Sequence, residues 1–299
     1  MKLNLLNLFY LLQIILVTKE NEGPLQYPEP PEGWDEGDCQ SLQIQSPINI
    51  PFLKDESIVI DNGNYSNIIL LNYSIINSGK VKFDNGHKWT TEELDIGNIE
   101  IELNKTIYKY KLHSIHFHLY SEHRIENTQY PMEMHMVHKN MNKTDIENQN
   151  LVIGVLFSFK NDIENKFLND MSLADENEIK DASITSLINE KNSYYYYKGS
   201  LTTTPCTENV NWIVFRDIKD MSFNQFTKFQ NWVEKSNMKY YGVGYGNARG
   251  PKRLSGRKIY LENSNYSDKG YLGIIIIFVF IIIIILFFFF MKGKKSLII

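Results

Sequence analysis

His116 and His118 stand two residues apart in Ser114-Ile115-His116-Phe117-His118, among residue types that favour extended chain. Successive side chains of a strand point to opposite faces, so these two imidazoles emerge on one face and converge on one point. Further along, Met132-Glu133-Met134-His135-Met136-Val137-His138 alternates polar and apolar in the same way. A neighbouring strand carrying His135 would bring a third imidazole to that point. Three neutral nitrogens around one position, with a fourth place left to water, form the donor set of catalytic zinc. For any one of these histidines alone, a satisfied core residue is the competing reading. All seven histidines, however, lie between His87 and His138, and such crowding needs a reason.

The elements that position these residues are mostly strands. Segments 67–76 and 99–119 are rich in Ile, Tyr, Thr and Val, with turn residues between them at Asn77-Ser78-Gly79 and Asp84-Asn85-Gly86. Leu151 to Phe159 is a short apolar run suited to a buried central strand. Helical patterning is confined to 161–169 and 222–234, and Glu22 to Asp38, with four prolines and three glycines, reads as an extended arm. The expected class is mostly β (α+β).

The chain has 299 residues, 31 basic and 35 acidic side chains and a net charge of -4, which argues against a nucleic-acid binder. A 43% hydrophobic and 22% charged composition excludes a largely disordered chain. Two cysteines are too few for a disulfide-rich scaffold or a cysteine-based zinc finger.

Both ends carry membrane signals. Met1 and Lys2 precede an apolar run from Leu3 to Val17 with a polar flank at Thr18-Lys19-Glu20, the order of a secretory signal peptide over residues 1–18. A buried N-terminal helix is the alternative. Tyr271 to Met291 is unbroken apolar chain, long enough for the roughly 20 residues that cross a bilayer. Lys292, Lys294 and Lys295 follow and mark the cytosolic side. The expected organisation is therefore an ectodomain over 19–265, a transmembrane helix over 271–291 and a cytosolic tail over 292–299. This describes a single-pass type I membrane protein with an extracellular or luminal domain. Exchange of the hydrophobic tail for a glycolipid anchor near Ser264 to Ser267 competes, and the lysines weigh against it. Sequons at Asn64, Asn72, Asn104, Asn142 and Asn265 fit a glycoprotein.

Ser121-Glu122-His123-Arg124-Ile125, then Tyr130, then Glu133-Met134-His135-Met136-Val137-His138, resembles the signature of the alpha-class carbonic anhydrases, here of the membrane-anchored extracellular type. Other segments match in the family's order. They are Gln45-Ser46-Pro47-Ile48-Asn49-Ile50, Asn85-Gly86-His87, His116-Phe117-His118, Gly199-Ser200-Leu201-Thr202-Thr203, Val210-Asn211-Trp212 and Asn247-Ala248-Arg249 through Arg257. The likeness runs from about Trp34 to Leu261. It implies a large, twisted, mainly antiparallel central sheet with short peripheral helices, and reversible hydration of carbon dioxide to bicarbonate and a proton. The cofactor would be Zn2+, which in this family makes its water acidic near neutrality.

Residue by residue, the resemblance implies zinc ligation by His116, His118 and His135. It gives Glu133 the carboxylate that accepts the other ring N–H of a ligand, one neighbouring His135 in space. Thr202 matches a gatekeeper hydroxyl and Glu122 its acceptor, so that the threonine oxygen accepts a hydrogen bond from the nucleophile and aims it. Thr203 matches a hydroxyl that contacts bicarbonate, and Val137, Val152, Leu201 and Trp212 match the apolar wall for carbon dioxide. For these four, ordinary core is the alternative. His87 aligns with a proton shuttle, a task suited to a side chain that titrates near neutral pH. Cys39 and Cys206 match the cysteine pair of secreted members, a disulfide bond clipping the arm to the loop of Thr202.

Some positions depart from the pattern. Leu119 stands where the family commonly has Trp, Ser114 and Thr90 where mammalian members often carry Gln and Asn, and Thr204 where a proline is usual. These departures bear on rate and inhibitor profile. The rival reading is a carbonic-anhydrase-related binding or receptor ectodomain without catalysis. Such proteins typically lose a zinc ligand, and all three histidines are present here.

Overall fold

The computed structural model describes residues 37–41, 43–84, 88–91, 96–159, 161–172, 179–235 and 247–262. The expected signal peptide, the spanning segment 271–291, His87 and Asn265 lie outside the described residues. Among the described residues no helix is long and apolar enough to cross a membrane.

Two long strands carry the chemistry. Strand β7 (Thr106–Leu119) pairs antiparallel with β10 (Met132–Asn140), which pairs antiparallel with β11 (Asn150–Ser158). Beyond β11 the sheet continues through β13 (Glu208–Phe215), β12 (Tyr194–Ser200) and β15 (Ile259–Glu262) to the edge strand β2 (Ile58–Ile60). On the other side, β7 pairs with β5 (Lys88–Thr90) along one half and with β6 (Gly97–Leu103) along the other. Strands β4 (Lys82–Asp84) and β3 (Ser66–Tyr73) extend those two branches. A second, small sheet joins β1 (Asn49–Ile50), β8 (Arg124–Ile125) and β9 (Thr128–Gln129).

The large sheet is mixed rather than wholly antiparallel, which qualifies the expectation of a mainly antiparallel sheet. β11 runs parallel to β13 and to β14 (Lys219–Asp220), and β15 runs parallel to β2. The apolar run of β11, buried on both faces, is what a parallel-paired central strand requires. The extended segment expected over 99–119 is two strands, because Asn104 and Lys105 take left-handed conformations (φ 47° and 66°) and turn β6 back on β7. The helix expected over 161–169 is shorter and later: α1 (Lys166–Asp170), capped by the Asn165 side chain. Helix α2 (Phe223–Lys235) starts at Ser222, whose hydroxyl accepts from Gln225 N–H while the Gln225 side chain accepts from Ser222 N–H.

A bulge sets which face the histidines occupy. Leu112 lies opposite His138 and Ser114 opposite Val137, so His113 is an extra residue in β7. One inserted residue shifts the two-residue phase. Tyr110 and Leu112 before the bulge, and Ile115, Phe117 and Leu119 after it, therefore enter the same apolar core, with Met132, Met134 and Met136 of β10 beside them. Ser114, His116 and His118 are left for the opposite face. There a second apolar cluster is built from β11, β12, β13 and β15.

Candidate metal centre

On that face the register places His135 opposite His116 and Glu133 opposite His118. The ring centroids of the three histidines lie 4.5 to 5.1 Å apart, and each offers a nitrogen within 4.8 Å of the others. His118 and His135 are buried and His116 is half-buried, so the cluster opens on the His116 side.

The tautomers of two rings are fixed by what they touch. His118 Nδ1–H donates to the Asn247 carbonyl at 2.9 Å, which leaves Nε2 as a lone-pair nitrogen, buried and without a hydrogen-bond partner among the described residues. His135 Nε2–H donates to Glu133 Oε1 at 2.8 Å, which leaves Nδ1. A buried nitrogen with no partner costs free energy unless something satisfies it. A divalent cation held by neutral imidazoles does so, and the donor set fits zinc. Burial pulls the His118 pKa down and keeps the ring neutral. Burial also acts to lower that of His135, but Glu133 and Glu122 beside it raise the net value. Metal uptake must displace that proton, so affinity falls as pH falls.

Glu133 is the hub. Its Oε1 accepts from both His135 Nε2–H and His123 Nδ1–H, and its Oε2 accepts from the backbone N–H groups of Glu122 and His123. The ligand it orients is thus His135 itself, not a neighbour of it as the resemblance suggested. Burial would push this carboxyl up, but the two imidazoles outweigh it and hold the group well below its ordinary range. His123 Nε2 accepts from the Tyr197 hydroxyl at 2.6 Å, which lies 2.9 Å from Ser46 Oγ. Gly154, opposite His135, makes room for the hub, since a Cβ there would sit 2.7 Å from Glu133 Oε1.

Glu122 sits beside the cluster, 3.5 Å from His118 Nδ1 and 3.8 Å from His135 Nδ1. Its Oε1 accepts from Arg249 N–H, whereas Oε2 is buried with no hydrogen-bond partner among the described residues. Thr202 is buried in the loop after β12, but the structure does not join its hydroxyl to that oxygen by a hydrogen bond. Thr203 lies in the same loop and is exposed, its carbonyl accepting from Cys206 N–H. Val137, Val152, Leu201 and Trp212 pack into one apolar cluster, with the Trp212 ring 4.9 Å from that of His135. Cys39 and Cys206 form a disulfide that ties the arm to the Thr202 loop. Sequence reasoning assigned no role to His123, Gly154, Tyr197, Asn247 or Arg249. His123 and segment 247–249 stand in the sequence only as parts of matching stretches.

A family model described as eukaryotic-type carbonic anhydrase matches residues 29–263. "Carbonic anhydrase 6" of Mus musculus is 31% identical over 231 residues, 67% of this chain and 68% of that protein. "Alpha carbonic anhydrase 8" of Arabidopsis thaliana is 29% identical over 255 residues, 82% of this chain and 59% of that protein. Among solved structures, the alpha-carbonic anhydrase from Thermovibrio ammonificans in complex with the inhibitor sulfanilamide superposes with a TM-score of 0.53 at 26% identity. That match covers 75% of this chain and 89% of the other. A halotolerant carbonic anhydrase from Dunaliella salina, at TM-score 0.59 and 24% identity, shares the fold and covers 85% of this chain and 97% of the other.

Proposed function

Because the chain belongs to the eukaryotic-type carbonic anhydrase family, we propose that it catalyses the reversible hydration of carbon dioxide to bicarbonate and a proton with zinc held by His116, His118 and His135. The observation that carries this reading is the buried Nε2 of His118, without a hydrogen-bond partner among the described residues, within a cluster of three imidazoles. A binding ectodomain without catalysis would have no need of that nitrogen, nor of the carboxylate hub that orients His135.

Bound zinc supplies Lewis acidity, which makes a water acidic enough to serve as nucleophile near neutral pH. The protein's residues do the rest. Asn247 and Glu133 hold His118 and His135 in the tautomers that face the metal. Glu122 Oε2, which has no hydrogen-bond partner among the described residues, would accept the Thr202 hydroxyl proton, so that the threonine oxygen accepts from the nucleophile and orients it. Val137, Val152, Leu201 and Trp212 offer carbon dioxide an apolar seat that excludes water. Thr203 takes a bicarbonate oxygen, and His87 carries the proton to solvent.

We further place the catalytic domain outside the cytosol, translocated by the segment 1–18 and anchored by 271–291. The Cys39–Cys206 disulfide supports this placement, since such bonds persist in oxidising compartments. The test of activity is a stopped-flow pH-indicator assay on the purified protein, with and without sulfanilamide. Hydration that sulfanilamide abolishes is the expected result; zinc-loaded protein without hydration would overturn the enzyme reading.

A further inference from the structure

Arg249 is 4% exposed, and its guanidinium carries a full charge into the interior. Burying a guanidinium costs several kcal/mol unless hydrogen bonds offset it. Here both Nη groups turn to the arm. Nη1–H donates to the Gln45 side-chain carbonyl at 2.9 Å and to the Ser46 carbonyl at 2.7 Å, and Nη2–H donates to the Cys39 carbonyl at 3.1 Å. Arg249 is thereby fastened to the arm 39–46. Gln45 Nε2–H in turn donates to the Cys206 carbonyl at 3.2 Å and to Glu208 Oε1 at 3.0 Å.

The other side of the same short segment touches the metal centre twice. Arg249 N–H donates to Glu122 Oε1 at 2.8 Å, and the Asn247 carbonyl, two residues earlier, accepts from His118 Nδ1–H. The Asn247 side chain also accepts from Leu119 N–H and donates to the Phe117 carbonyl, which holds the segment along the end of β7. Segment 247–249 is no strand and has no ladder of its own to keep its position.

We propose that Arg249 is a positioning residue for the hydration reaction: its guanidinium, locked to the 39–46 arm, holds segment 247–249 so that one N–H sets the Glu122 carboxylate and one carbonyl sets the His118 ring. The proposal rests on the hydration reading for its kinetic readout, though not for its structural one. A 1 Å displacement of orienting groups is enough to slow catalysis severalfold or more. The arm that bears Cys39 thus acts on Glu122 from one side, and the loop that bears Cys206 carries Thr202 on the other.

The experiment uses Arg249→Lys, which keeps the charge and removes the fork, alone and combined with Glu122→Gln in the zinc-loaded protein. Arg249→Lys should lower kcat/KM for hydration about tenfold at unchanged zinc content. In the Glu122→Gln background the same change should cost only about threefold, because one of the two groups it acts through is already gone. A loss that multiplies in full would show a merely structural role and overturn the proposal. Independently of turnover, the carboxyl resonance of Glu122 in protein labelled with carbon-13 glutamate, assigned through Glu122→Gln, should move in Arg249→Lys. An unmoved resonance overturns the positioning role even in an active enzyme. A moved resonance in a zinc-loaded protein without hydration upholds it and sinks the hydration reading instead. If Arg249→Lys does not fold, Gln45→Met, which removes one acceptor of the fork at similar volume, is read by the same two signals with a smaller shift.

Discussion

Glu133 and His135, two residues apart on one strand, meet at 2.8 Å between carboxylate Oε1 and ring Nε2. The contact decides which nitrogen of His135 can hold a metal, because a ring that donates from Nε2 keeps its lone pair on Nδ1. Glu133→Gln should therefore weaken zinc binding about 10- to 100-fold, as read by competition with a coloured chelator. Unchanged affinity would show that the tautomer of His135 is fixed by some other group.

Gly154 supports the same contact from behind. In Gly154→Ala the new methyl meets Glu133 Oε1 at 2.7 Å and pushes the carboxylate off the two imidazoles. We expect a loss of about 1–3 kcal/mol in urea unfolding together with weaker zinc binding. A variant as stable and as tight as the parent would mean that the hub has slack the geometry does not suggest.

His138 gives a pH dependence separate from the metal. Its ring is fully buried, donating to the Met136 carbonyl and accepting from the Tyr73 hydroxyl, and burial pulls its pKa down to about 4. A histidine depressed in the folded state contributes stability that is fully present above the unfolded value near 6.5 and is lost as pH falls toward 4. Between pH 7.5 and pH 5 this group alone should remove about 2 kcal/mol. The stability gap between the parent and His138→Asn, measured by urea unfolding at both pH values, should narrow by that amount. A gap constant with pH would show that His138 is not buried neutral.

How far the sequence showed these things depends on the distance over which each is encoded. The spacing of His116, His118 and His135 was legible because a strand's alternation is local, and pairing β7 with β10 turned it into a cluster. The bulge at His113 was not legible, since a phase shift appears only once the partner strand is known. Nor was the parallel pairing of β11 with β13, because an apolar run specifies burial on two faces but not the direction of its neighbour. Asn247 and Arg249 act on residues more than a hundred positions away, and nothing in their local pattern reports it. Gly154 is the extreme case, because its contribution is the side chain it lacks.

The proton's exit is a separate step from attack on carbon dioxide. His87→Ala should lower turnover in weak buffer and leave kcat/KM nearly unchanged, since the latter reports steps before proton export. Added imidazole buffer should recover much of the loss. Turnover unaffected by the change would assign the shuttle elsewhere.

Stepwise return of zinc to metal-free protein, with hydration of carbon dioxide followed at each addition, bears on the metal and the reaction together. Activity should rise in proportion to zinc and stop at one equivalent per chain, and in His118→Ala it should fail to rise because the buried Nε2 is gone. Protein that takes up a full equivalent of zinc and hydrates no carbon dioxide would contradict the account at its centre.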